Sequence, residues 1–172
     1  MSNTENLTSD KALKKLNELV DDIKMCLFCT NLKIDDGATC RPMSTARVDD
    51  NGDIWFISGK SSDKNREIKQ DNKVRLYYSH PGKSSYLVVN GEARISTDRK
   101  MIDELWSPLD KTWFKEGKDD PEVSLICVSN ISAYYWDTKG NQMVNFLKMV
   151  ASAATGKNLV EGHQGDLSIS GH

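Results

Sequence analysis

The chain has 172 residues and a high charged fraction of 28%, yet 23 Lys and Arg against 25 Asp and Glu leave a net charge of only −2. A near-neutral chain with no basic block is a poor general nucleic-acid binder, and no apolar run approaches the ~20 residues that span a bilayer. The polar, acidic opening MSNTENLTSDK does not read as a signal or transit peptide, so the four cysteines predict reduced thiols in a cytoplasmic protein rather than a disulfide framework. The length fits one domain, residues 1–172, with a real core.

Residues 1 to 9 read as a frayed tail. From Asp10, Leu13, Leu16, Leu19, Val20 and Ile23 recur at three- and four-residue spacing, which predicts an amphipathic helix of about four turns capped by Ser9 or Asp10. Met25 to Leu32 is the first predicted strand. It holds a CxxC pair, Cys26 and Cys29, open to a redox or zinc reading. A zinc site needs two further ligands at compatible spacing, and none is evident, so a structural role is favoured.

Asp35-Asp36-Gly37 is a turn, and Ala38 to Val48 is the second predicted strand. Pro42 inside it cannot donate to a ladder, so the strand is at an edge or exposes its backbone there. Asn51-Gly52 predicts a two-residue type I′ hairpin turn with positive φ at both centres. The almost unbroken apolar run Ile54 to Ile57 makes Asp53 to Ser58 a third strand, covered on both faces. After it, Ser58, Gly59, Lys60, Ser61, Ser62 and Lys64 gather hydroxyls and ammoniums just where a helix, Ser62 to Gln70, begins. Such a helix start aims free N–H groups at one spot and suits a phosphate. Lys64 and Arg66 sit in turns where the helix dipole disfavours cations. Either an anion binds there, or Asp63 and Glu67 neutralise them on a solvated face.

Lys73 to Ser79 is the fourth strand, and His80-Pro81-Gly82 turns the chain. Ser85 to Ser96 is the fifth, with Gly91 as a bulge that bends the sheet toward closure. Thr97 or Asp98 caps a short helix through Met101, Ile102 and Leu105 to Trp106. Lys111 to Lys115 makes a further turn carrying Trp113 and Phe114. Gly117 to Pro121 is a polar loop, and Val123 to Asp137 is the sixth strand, ending in Tyr134, Tyr135 and Trp136. Val144 to Ala154 has helical periodicity, and Asp166 to Ile169 is one more short strand. The fold class is mainly β: six antiparallel strands curled into a barrel with flanking helices.

The ordered motifs are Cys40-Arg41-Pro42-Met43-Ser44, Trp55-Phe56-Ile57-Ser58, Lys64, Trp106, Trp113 and Tyr135-Trp136-Asp137. On them, from about Leu13 to Lys157, the chain resembles the flavin-binding split-barrel proteins related to pyridoxamine 5′-phosphate oxidase, and within these the general stress protein 26-like branch. The resemblance implies bound FMN, with FAD also compatible, at the interface of a homodimer, and a flavin oxidoreductase acting on a small molecule. It lays the second strand, Arg41, Pro42, Met43 and Ser44, along the isoalloxazine ring, and counts Ile57 among the cofactor-binding residues. Ser58 and Lys64 hold the phosphate, aided by Lys60, Ser61 and Ser62. Tyr86, Trp106, Trp113 and Trp136 complete the cofactor site. Three departures carry weight. Asp63 stands where the oxidases have the first of two adjacent basic residues, Tyr86 where they have a flavin-contacting glutamine, and Phe146 where they have an arginine. The Arg- and His-rich C-terminal segment that grips pyridoxamine phosphate is also missing, which argues against vitamin B6 oxidase activity. The alternative is a non-catalytic stress protein with a weakened flavin site.

Overall fold

A computed structural model of the chain describes residues 3–4, 7–33, 37–138 and 162–168. Ser9–Ile23 forms helix α1, whose Ala12, Leu16, Leu19 and Val20 are buried against the sheet. Lys24, at φ 62°, ends the helix and its N–H returns to Val20 O at 2.7 Å. The helix therefore stays because an apolar stripe is covered, and Leu16→Ala alone would cost about 2–5 kcal/mol.

The segments before it, Asn3–Thr4 (β1) and Leu7–Thr8 (β2), are not a frayed tail. They pair in parallel with a late strand, Gly162–Ser168 (β10). That partner lies far away in sequence, so periodicity could not reveal the pairing. The remaining strands are Met25–Thr30 (β3), Thr39–Ser44 (β4), Arg47–Val48 (β5), Ile54–Gly59 (β6), Lys73–His80 (β7), Ser85–Ser96 (β8) and Val123–Thr138 (β9). Pairing runs β4–β3–β7–β8–β9–β6–β5, antiparallel at every step. Because β5 follows β4 after two residues, the ladder curls back on itself as a split barrel. The predicted second strand is thus one chain in two halves, the first bonded to β3 and the second to β6. At the change-over Thr45 N–H donates to Lys24 O and Ala46 N–H to Trp55 O. On its other edge β4 has no ladder partner among the described residues, in keeping with Pro42.

The Asn51-Gly52 turn forms a hairpin of a different type from the predicted one. Only Gly52 has positive φ, at 84°, and Gly52 N–H donates to Asp49 O at 2.9 Å. The Asp49 carboxylate accepts from Asn51 N–H and Asp53 N–H, and its second oxygen accepts from Trp55 Nε1 at 2.8 Å. That side chain stabilises a three-residue loop with glycine in the left-handed position, so Asn51 never needs a positive φ. Gly91 does make the bulge: the β8–β9 register shifts between Asn90 and Glu92. A Cβ there would meet Val128 Cγ1 at 2.6 Å and Ser129 O at 2.9 Å. Beyond the bulge the far edge of β9 passes from β6 to β10.

Asp63–Gln70 forms α2, capped by Ser62, whose hydroxyl accepts from Asn65 N–H. Arg99–Leu105 forms α3, capped by Asp98. The main core joins α1 and Ile68 of α2 to the barrel interior, where Phe28 and Phe56 meet edge to face at 5.2 Å. A second cluster lies on the other face of β6 and β9, where Trp55, Ile102, Leu105, Phe114 and Leu125 pack together. The predicted helix Val144 to Ala154, like Asp35, Asp36 and Phe146, lies outside the described residues.

The prediction of four reduced thiols is also corrected. Cys29 and Cys40 stand opposite each other across β3 and β4 and are joined by a disulfide, their Cα atoms 4.1 Å apart. Cys26 and Cys127 are free and buried, and burial pushes both thiols up to about 12. The disulfide therefore runs across the ladder and not along the CxxC spacing. Cys26 and Cys29 point to opposite faces of β3, whereas Cys40 faces Cys29 across the ladder.

Candidate functional site

Three elements meet at one corner of the barrel: the start of β4, the end of β6 and the first turns of α2. Arg41, register partner of the buried Phe28, turns inward from β4. Its guanidinium donates to Thr30 Oγ1 at 2.7 Å and to Glu67 Oε2 at 2.7 Å, and the Thr30 hydroxyl donates to the same carboxylate. These bonds use two of the five N–H donors of the guanidinium. Burial raises the Glu67 carboxyl, but the bonds from Thr30 and Arg41 outweigh it and hold the group below its ordinary value.

Lys64 is half-buried beside this pair, and its ammonium has no hydrogen bond or ion pair among the described residues. Burial depresses it below lysine's ordinary value, the Arg41 guanidinium adds to that, and Asp63 opposes both. Desolvated and next to a second cation, the ammonium is destabilised, and a neighbouring anion would relieve that. Asp63, on the solvent side, is ion-paired with Arg66. Its charge is thus divided between Arg66 and Lys64.

The serines are arranged differently from the simple cradle read in the sequence. Ser58 is only 3% exposed, and its hydroxyl donates to Asn65 Oδ1 at 2.9 Å. Asn65 Nδ2 donates to Ser124 Oγ at 3.0 Å, and Ser124 returns a bond to Ser58 O. A hydroxyl has a single proton, so in this arrangement Ser58 fixes the start of α2 against β9. Ser61 donates through N–H and hydroxyl to Glu122, and Ser62 caps the helix. Lys60 is exposed, and its charge helps hold the Glu122 carboxyl below its ordinary value.

The other site residues fall elsewhere. Pro42 is exposed on the outer face of β4 opposite Leu27, Met43 is in the core, and Ser44 is exposed opposite Met25. Tyr86 and Trp136 are register partners on the outer face of β8 and β9, and Tyr134 packs against Trp136 at 4.5 Å. Tyr86 and Trp136, with Tyr77, Tyr78, Leu87 and Val88, line an open apolar concavity of about 490 Å³. Ile57 and Trp106 pack in the second cluster, where Trp106 meets Phe114 at 5.9 Å, and Trp113 is 81% exposed. Within a single chain, then, the structure brings together Arg41, Ser58, Ser61, Ser62 and Lys64 but leaves the aromatic residues on other faces. Thr30, Asn65, Glu122 and Ser124 are the corner residues that sequence reading missed, while Glu67, expected only to neutralise Lys64 and Arg66, is paired with Arg41. Only Asn65 carried a local signal, as the third residue of a Ser-capped helix.

The sequence matches the family model described as pyridoxamine 5′-phosphate oxidase like over residues 11–160. The chain belongs to that family. Protein bli-3 of Neurospora crassa is 24% identical over 157 residues, an alignment covering 86% of this chain and 75% of that protein. A solved structure from Jannaschia sp. CCS1, assigned to general stress protein 26, superposes with a TM-score of 0.75 at 24% identity and covers 91% of this chain and 97% of its own. The general stress FMN/FAD binding protein of Xanthomonas citri has a TM-score of 0.60 at 23% identity, covering 73% and 89%. The split-barrel architecture is shared with both.

The corner fits a phosphomonoester: the Lys64 ammonium lies beside the Arg41 guanidinium, Arg41 keeps N–H donors beyond those given to Thr30 and Glu67, and Asp63 on the solvent side is tied to Arg66. The exposed edge of β4 adds backbone groups with no ladder partner among the described residues.

Proposed function

We propose that the chain binds FMN, with the phosphate at Arg41 and Lys64 and the ring along the free edge of β4 from Arg41 to Ser44. The observation that carries this is Lys64: half-buried, without a hydrogen bond, and set against a second cation. A buried ammonium in that state favours an anion, and because Arg41 is already paired with Glu67, the uncompensated charge a phosphate would meet is that of Lys64, with the remaining Arg41 N–H groups as donors. Asn65, Ser58 and Ser124 lock the helix start so that Lys64 is held in place rather than ordered on binding. Glu67 orients Arg41 through its Nη2. Lys60 would add a further, exposed cation at the rim.

The same reading makes the protein a homodimer. On the outer face Leu27, Tyr77, Tyr86 and Trp136 remain 47%, 40%, 39% and 41% exposed, and Leu27, Tyr77 and Val88 are successive register partners. A contiguous apolar face of this kind suits a second copy of the chain. The copy would bring Tyr86, Trp136 and Trp113 toward a flavin held by its neighbour. Bound flavin would supply hydride and electron transfer to a small molecule, and the chain's own residues would bind, orient and shield it.

Titrating the purified protein with FMN and with riboflavin tests this. Quenching of flavin fluorescence with micromolar or tighter affinity for FMN is expected. A protein that takes up neither, or that binds riboflavin as tightly as FMN, would sink the phosphate assignment.

A further inference from the structure

β4 delivers Arg41 to the cation corner, and among the described residues its only ladder partner is β3. Cys40 immediately precedes Arg41, stands in register with Cys29, and is bonded to it. Cys29 in turn precedes Thr30, which accepts from Arg41. The disulfide and the Arg41–Thr30 contact therefore tie the same two strands at adjacent positions. Cys40 is exposed, while Cys29 is 1% exposed. Reagents can reach one sulfur of the pair. Cys26 and Cys127 are buried with strongly raised thiols and are poor competitors.

We propose that Cys29–Cys40 is a redox-responsive clasp on the anion corner. The disulfide holds β4 against β3 and presents Arg41 preorganised. The dithiol form leaves β4 held by hydrogen bonds alone and binds the phosphate more weakly. The ligand in this proposal rests on the flavin reading above. Opening takes a dithiol reductant: its thiolate attacks Cys40 Sγ, the S–S bond breaks, and Cys29 leaves as a thiolate and takes a proton. The second reductant thiol then attacks the mixed disulfide, freeing Cys40 and leaving the reductant as its own disulfide. Closing takes a peroxide. The Cys40 thiolate attacks one peroxide oxygen, giving a sulfenic acid and, with hydrogen peroxide, one water. Condensation with Cys29 then forms the disulfide and a second water.

The coupling must be reciprocal. If the disulfide tightens FMN binding, FMN makes the disulfide harder to reduce by the same factor.

The test poises the full chain in mixtures of oxidised and reduced dithiothreitol and counts the Cys29–Cys40 disulfide by alkylation and mass spectrometry, with and without saturating FMN. The reduced protein should bind FMN about tenfold more weakly, and FMN should lower the midpoint by about 30 mV, the equivalent of tenfold for a two-electron couple. Amide exchange in β4 should quicken about tenfold on reduction while β8 and β9 stay unchanged. Cys40→Ser, at an exposed position, should bind FMN weakly at every poise. Equal FMN affinity and equal β4 exchange in both states overturn the clasp, as does failure of the disulfide to form at any poise. If FMN binds in neither state, the flavin reading falls and β4 exchange alone decides: faster on reduction upholds the clasp, unchanged overturns it.

Discussion

The cation corner and the outer aromatic face share strands β3, β4 and β9 but treat their side chains in opposite ways. Arg41 turns inward and is met by Thr30 and Glu67, whereas its neighbour Pro42 turns outward beside Leu27 and Tyr77, which remain exposed. At the corner nearly every polar group has a partner and Lys64 is the exception. On the outer face large apolar side chains lie open to water. Among the described residues, one region therefore lacks a charge partner and the other lacks a cover. On the proposed function a phosphate would supply the first and a second copy of the chain the second.

The largest expected effect is on the outer face. Tyr77→Asp places a carboxylate at the centre of the apolar row twice in a twofold dimer, and should weaken self-association by about a hundredfold or more. Sedimentation across a concentration series reads it. An unchanged dimer would show that this face is not the interface.

Lys64→Ala comes next. Loss of a charge-assisted bond to phosphate, about 1.5–3 kcal/mol, predicts FMN affinity lower by roughly 10- to 100-fold. Riboflavin affinity should hardly move, and equal losses on both flavins would place the phosphate elsewhere.

The pH dependence of the same site is smaller and has a fixed sign. Lys64 has its proton affinity lowered from lysine's ordinary 10.5, chiefly by burial, and a bound dianion favours the protonated form. FMN affinity should therefore fall as pH rises through a value below 10.5, and the fall should vanish in Lys64→Ala. A wild-type profile that stays flat to the ordinary lysine value breaks the argument for a desolvated ammonium.

The smallest effect concerns Asp63. Because it pairs with Arg66 at the surface, Asp63→Asn should tighten FMN by only about two- to threefold, and raised salt should erase the gain. A tenfold gain would mean that the acidic side chain opposes the phosphate directly, and would favour the weakened-site reading.

Local signals were readable where the chain acts on itself. The cap at Ser62, the bulge at Gly91, the Asp98 cap and the edge character forced by Pro42 each follow from one residue's stereochemistry. The Asn51-Gly52 pair marked the right hairpin but the wrong turn, because Asp49, two residues upstream of Asn51, outbids the local φ preference with three hydrogen bonds. The resemblance makes Ser58 a phosphate ligand, yet its hydroxyl donates to Asn65 Oδ1 and Ser124 closes the network from far along the chain. Nothing in the spacing of these residues announces that network.

By itself, then, the sequence determined the family, the succession of strands and the turns between them, since periodicity, glycine and proline act within a few residues. Only the tertiary structure decided which charges meet. Asp63 removes a cation next to Lys64 in the chain, and Arg41, more than twenty residues earlier, is the one that stands beside Lys64 in space. It likewise decided that Cys29 faces Cys40 rather than pairing with Cys26. Coulombic and covalent partners are chosen by distance through space, and strand register sets that distance.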